Sequence, residues 1–103
     1  KMEHLLKKDH SCDLILCLSH LGYSFEQNKI SDMTLAPQTR YTDLIIGGHT
    51  HSFFKKPSVL KNADGKPILV NQAGWAALAM GKIEFIFDQT GKLNEPVAIL
   101  DNL

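Results

Sequence analysis

The stretch Asp43-Leu44-Ile45-Ile46-Gly47-Gly48-His49-Thr50-His51 constrains this chain more than any other. A short apolar run stops at two glycines, and two histidines follow with one residue between them. Unbroken apolar runs of this length suit a strand buried on both faces, as in parallel sheets. Glycine permits a sharp exit from a strand and a close approach of the backbone to a site. An earlier stretch, Asp13-Leu14-Ile15-Leu16-Cys17-Leu18-Ser19-His20, repeats the plan with one histidine. In parallel α/β sheets ligands bind beyond the carboxyl ends of the strands. A right-handed crossover between neighbouring strands would bring His20, His49 and His51 to one edge. If residues 49 to 51 are extended, the side chains of His49 and His51 share a face. Neutral imidazole is the commonest metal-binding side chain, so these three histidines are the candidate metal ligands. His4 and His10, on a polar helix face and at a helix end, are read as having no special role.

The remaining elements frame these two units. Met2, Leu5 and Leu6 fall at helical spacing, and Lys7 and Lys8 sit where cations suit the end of a helix. Between the two strands, Ser31 or Asp32 is an N-cap candidate, with Met33, Leu35 and Ala36 as a short apolar face. Pro37 predicts a short or distorted helix there. Asn62-Ala63-Asp64-Gly65-Lys66 lies between two apolar stretches and predicts a hairpin. Gly74-Trp75-Ala76-Ala77 reads as a loop packed on the core, with Trp75 packing and Gln72 either near the site or packed. A strand is predicted over Lys82 to Asp88, a turn over Gln89 to Lys92, and a last strand over Val97 to Leu100. The order is helix, strand, helix, strand, followed by antiparallel strands: an α/β unit feeding a mixed sheet.

Composition narrows the function. The 103 residues suffice for one small domain spanning 1–103, and eleven basic residues cancel eleven acidic ones. Nothing points to a nucleic acid polymer or to a polybasic membrane anchor. No apolar run reaches the length of a membrane span, and no signal peptide is visible. Lys1 is not an initiator methionine, and the first nine residues read as the middle of a helix, so the chain is expected to be a piece of something longer. Cys12 and Cys17 point to opposite faces of one strand and cannot pair with each other; they read as small apolar core residues.

Three histidines do not make an enzyme by themselves. Three neutral ligands could hold one catalytic zinc with an open position. A two-metal hydrolase also needs carboxylates, above all one that bridges the ions. Asp13 and Asp43 begin their strands, at the wrong end, and Asp32 reads as a helix cap.

Leu18-Ser19-His20-Leu21-Gly22, Asp43 to His51 as quoted, Gln72-Ala73-Gly74-Trp75 and Gly81-Lys82-Ile83-Glu84-Phe85 together resemble the calcineurin-like metallophosphoesterases, and within them the 5'-nucleotidase branch. The order and spacing agree over essentially the whole chain. The resemblance implies a four-layer α-β-β-α sandwich with a two-metal site at the strand ends. It implies that His20 and His49 bind one divalent ion (Zn, Mn, Fe or similar) and His51 the other. The implied reaction is hydrolysis of a nucleotide or related phosphate ester by a water activated between two ions about 3.5–4 Å apart. Three motifs of the family are missing here: the opening Asp-x-His, the Gly-Asp-x-x-Asp that supplies the bridging carboxylate, and the Gly-Asn-His-Asp/Glu that supplies the catalytic histidine. The chain therefore resembles the C-terminal portion of the catalytic domain, a partial sandwich without a general acid.

Two readings follow. In the first, the chain is part of a metal-dependent phosphoesterase of 5'-nucleotidase type and is inactive by itself. In the second, it is a non-catalytic module whose histidines bind a metal weakly or merely pack, and which pairs with another chain. Under either reading a bare half-sheet would seek a partner, a second copy or the missing N-terminal half. The compartment stays open: family members are often periplasmic or secreted, whereas two unpaired cysteines fit a reducing milieu.

Overall fold

A computed structural model describes residues 1–94 and 97–102. It is an open, mixed α/β arrangement with little helix. Helix α1, Met2–His4, runs into a π-helical turn over Leu5–Asp9. Strand β1 spans Leu16–Leu18 and β2 Leu44–Ile46. Between them, α2 spans Asp32–Leu35 and tightens into a 3₁₀ turn over Ala36–Gln38. Ser31 is the N-cap: its hydroxyl accepts from Thr34 N–H at 3.3 Å, and Thr34 Oγ1 accepts from Ser31 N–H at 2.8 Å. Pro37 sits inside the 3₁₀ turn, which explains why the helix is as short as its sequence predicts.

The hairpin is present as β3, Ser58–Lys61, and β4, Pro67–Asn71, paired antiparallel. Gly65, with φ of 75°, turns the chain between them. β4 also pairs parallel with β2, so the sheet order is β1-β2-β4-β3. β5, Ala79–Glu84, and β6, Val97–Asn102, form a separate antiparallel ribbon. The strand predicted over Lys82 to Asp88 therefore begins and ends earlier. Phe85 and Phe87 lie beyond it, and Phe87 makes only an isolated bridge to Leu93. Among the described residues no helix is long and apolar enough to cross a membrane.

The main core cluster lies on one face of the sheet, while Leu44, 2% exposed, is buried on the other. Ala36, Ile45, Ile68 and Val70 are fully buried, with Cys17, Tyr23, Leu35 and Leu60 packed against them. Register explains the set, since Cys17, Ile45 and Val70 stand side by side across three parallel strands. Burial, and then the charges of Asp32 and Glu3, push the Cys17 thiol up, so it behaves as the core residue its sequence suggests. The expectation of strands covered on both faces fails for β1. It is an edge strand, and on its outer face Leu18 is 80% exposed and Leu16 47%.

Candidate metal centre

β1 and β2 deliver their exit loops side by side. Ser19 N–H donates to the Ile46 carbonyl at 2.9 Å, and Gly47 N–H donates to the Asn71 carbonyl at 2.9 Å. The parallel ladder thus continues one step past each strand before the histidines appear. The His20 and His49 rings meet edge to face, with centroids 5.2 Å apart. Both residues are exposed at the carboxyl edge of the sheet, and His20 Nδ1 lies beside Gly48. Phe25 flanks this pair, 6.1 Å from the His49 ring.

His51 has a different neighbour. Its ring stacks on Trp75, with centroids 5.8 Å apart and planes 15° from parallel. The backbone supplies the reason. His49 and His51 both adopt positive φ, 73° and 54°, so residues 49 to 51 are not extended and the two imidazoles do not share a strand face. Trp75, expected to pack, is 56% exposed, and Ala76 and Ala77 beside it are exposed as well. This loop lies on the rim of the site rather than in the core.

Gly47 and Gly48 act through space and not through φ. Neither has a positive φ. A Cβ on Gly47 would fall closer than 3.0 Å to Asp32 Oδ2, and one on Gly48 would lie 3.1 Å from His20 Nδ1. One glycine makes room for a carboxylate and the other for an imidazole.

Two residues beneath the histidines escape a reading of the sequence alone. Asp32, expected as a cap, is fully buried one residue inside the helix. Its Oδ1 accepts from Ser19 Oγ at 2.5 Å, and its Oδ2 accepts from Gln72 Nε2 at 3.4 Å. Gln72 is 1% exposed. Its Nε2 also donates to the Gly48 carbonyl at 2.9 Å, and its Oε1 accepts from Thr50 Oγ1 and Ser52 N–H, each at 3.1 Å. The available signal was the adjacency of Ser31 and Asp32: once serine takes the cap, the next carboxylate is free to turn inward.

The donor set suits part of a metal site. Two exposed imidazoles on neighbouring loops are borderline donors of the kind that zinc, manganese and iron accept. Among the described residues no group of three or more His, Cys, Asp or Glu side chains gathers into a complete site. Asp43 stands at the opposite end of the sheet. Its Oδ2 accepts from Ile15 N–H at 2.8 Å, and burial pushes its carboxyl up despite that bond and the charge of Lys7. His4 lies edge-on to Tyr41, away from this edge.

No protein-family model matches the chain. It is 31% identical over 86 residues to the trifunctional nucleotide phosphoesterase protein YfkN of Bacillus subtilis (strain 168), across 84% of this chain and 5% of that protein. It is 30% identical over 103 residues to the apyrase of Tabanus yao, across 85% of this chain and 18% of that protein. Its fold matches the crystal structure of a 5'-nucleotidase precursor from Thermus thermophilus with a TM-score of 0.80 and 29% identity, covering 99% of this chain and 21% of that one. The chain thus spans between 5% and 21% of the length of these proteins.

Proposed function

We infer the function from one premise: in sequence and in fold this chain is a relative of the 5'-nucleotidase-type phosphoesterases. It forms part of a metal-dependent phosphoric ester hydrolase acting on nucleotides or related phosphate esters, and corresponds to the C-terminal portion of the catalytic domain. The observation that carries this reading is the contact of His20 with His49 at the carboxyl ends of two parallel strands. His20 and His49 would hold one divalent ion, and His51 would contribute to a second. Bound ions would polarise the phosphoryl oxygens and lower the pKa of a bound water. The protein's own share is to present the imidazoles at fixed positions and to keep the loops around them from spreading. Phe25 lies beside the His49 ring and Trp75 stacks on His51, where each would meet a substrate drawn to the ions.

Among the described residues no carboxylate is placed to bridge two ions at the site, since Asp32 is buried and engaged and Asp43 lies at the far end of the sheet. Residues 1–103 alone are therefore expected to be inactive. An aryl phosphate assay with added manganese tests this: turnover at enzymatic rates by residues 1–103 would contradict the reading. The full-length protein should lose its phosphoesterase activity on treatment with a chelator and regain it with metal.

A second reading has one observation in its favour. The outer face of β1 and β2, with Leu18 80% and Ile46 42% exposed, is bare apolar surface of the kind that seeks a partner. A non-catalytic module that binds metal weakly and pairs with another chain would show it too. Histidine variants that leave phosphoesterase activity of the full-length protein unchanged would favour that module.

A further inference from the structure

The three histidines are exposed, yet the residues beside them are tied to one buried pair. Ser19 precedes His20, and its hydroxyl donates to Asp32. Gly48 precedes His49, and its carbonyl accepts from Gln72. Thr50 separates His49 from His51, and its hydroxyl donates to Gln72 Oε1. Ser52 follows His51, and its N–H donates to the same oxygen. Asp32 and Gln72 are joined to each other at 3.4 Å. Every segment that carries a candidate ligand is therefore anchored, one residue away, to this buried pair.

Two physical facts give the arrangement weight. A buried carboxylate is costly unless its oxygens are bonded, and both oxygens of Asp32 are. His49 and His51 hold left-handed φ values that disfavour residues other than glycine, and such strain persists only where the surroundings over-determine it. The bonds from Gln72 to Gly48, Thr50 and Ser52 bracket both strained residues. Gly47, whose missing Cβ leaves room for Asp32 Oδ2, lets the carboxylate reach this place.

We propose that Asp32 and Gln72 are positioning residues that set the mutual placement of His20, His49 and His51 for metal binding. The proposal rests on the metal-binding reading above. Ligand-supporting residues of this kind commonly alter metal affinity by about 10- to 100-fold when removed.

The test uses the full-length protein with Co²⁺ as the probe. Affinity is read by competition with a chromophoric chelator, the coordination environment from the visible Co²⁺ spectrum, and folding from thermal melting by circular dichroism. Asp32→Ala and Gln72→Ala should weaken Co²⁺ binding by about tenfold or more and change the spectrum at temperatures where each variant is folded. Asp32→Asn, which keeps an acceptor for the Ser19 hydroxyl, should recover much of the affinity. If Asp32→Ala does not fold, Ser19→Ala removes one tether and should produce a smaller effect of the same sign. Folded Asp32→Ala, Gln72→Ala and Ser19→Ala variants with the parent affinity and spectrum would overturn the proposal, even if their melting temperatures fall. His20→Ala and His49→Ala separate the two failures: if they keep full Co²⁺ affinity, the metal-binding reading fails, whatever the Asp32 variants do.

Discussion

The carboxylate of Asp32 occupies the space that a side chain on Gly47 would need. A Cβ there would fall closer than 3.0 Å to Oδ2, and Asp32 is fully buried with no free direction to retreat. Gly47→Ala should therefore destabilise the protein by about 1–3 kcal/mol, the usual range for overpacking a filled interior. Gly48→Ala meets an exposed imidazole at 3.1 Å, which can swing away, so its cost should stay below about 1 kcal/mol. Urea unfolding of the two variants side by side reads the difference, and equal midpoints would contradict it.

Much of this region is legible in the sequence, and the part that is not has a definite cause. The apolar runs before His20 and before Gly47 mark two adjacent parallel strands, and Asp64-Gly65 marks the hairpin turn. Their signals are local: a run of apolar residues and a turn residue with its own φ preference. The positive φ at His49 and His51 has no local signal, and the bonds that bracket these residues come from Gln72, some twenty positions away. Asp32 after a serine at a helix start looks like ordinary capping chemistry, and only the packed sheet shows that it points inward. The β5 boundaries moved because Ala79 to Glu84 pairs with β6 in a register that alternation alone does not choose.

Glu3 ties the first helix to the segment before β2. Its carboxylate accepts from the N–H groups of Arg40, Tyr41 and Thr42 and from the Thr42 hydroxyl, at 2.8 to 3.0 Å. Burial pushes this carboxyl up, but the four bonds together outweigh it and hold the pKa below its ordinary 4.5. A depressed acid contributes stability above its unfolded pKa and loses it as pH falls through the folded value. Unfolding midpoints should fall on acidification below about pH 4.5 in the parent. Glu3→Gln should be less stable at pH 7 and show a shallower acid limb; an unchanged limb would contradict the assignment.

Asp43 carries the opposite sign. Burial raises its pKa above 3.8, against the Ile15 N–H bond and the Lys7 charge. Its stabilising share is present below the unfolded pKa and is lost as pH rises through the raised folded value. Asp43→Asn keeps an acceptor for Ile15 and removes the buried charge, so at pH 7 it should be neutral or stabilising. Asp43→Ala leaves the Ile15 N–H without its partner and should cost about 1 kcal/mol or more. Denaturant unfolding at pH 7 ranks the two, and the reverse order would contradict this assignment.

Trp75 is the chain's one tryptophan and stacks on His51, so its fluorescence reports on that imidazole. Co²⁺ added to the full-length protein, with any other tryptophans replaced by phenylalanine, should quench Trp75 emission in a saturable manner, and His51→Ala should abolish the saturable phase. Because Trp75 is more than half exposed, Trp75→Phe should change stability by no more than about 0.5 kcal/mol. Saturable quenching that survives in His51→Ala would place the second ion elsewhere.

Whether His20 and His49 hold one ion together is tested most directly by an anomalous difference map from crystals of the full-length protein grown with zinc. A peak is expected about 2.0–2.1 Å from a ring nitrogen of each histidine. A zinc peak elsewhere, with both imidazoles free of metal, would contradict the shared site.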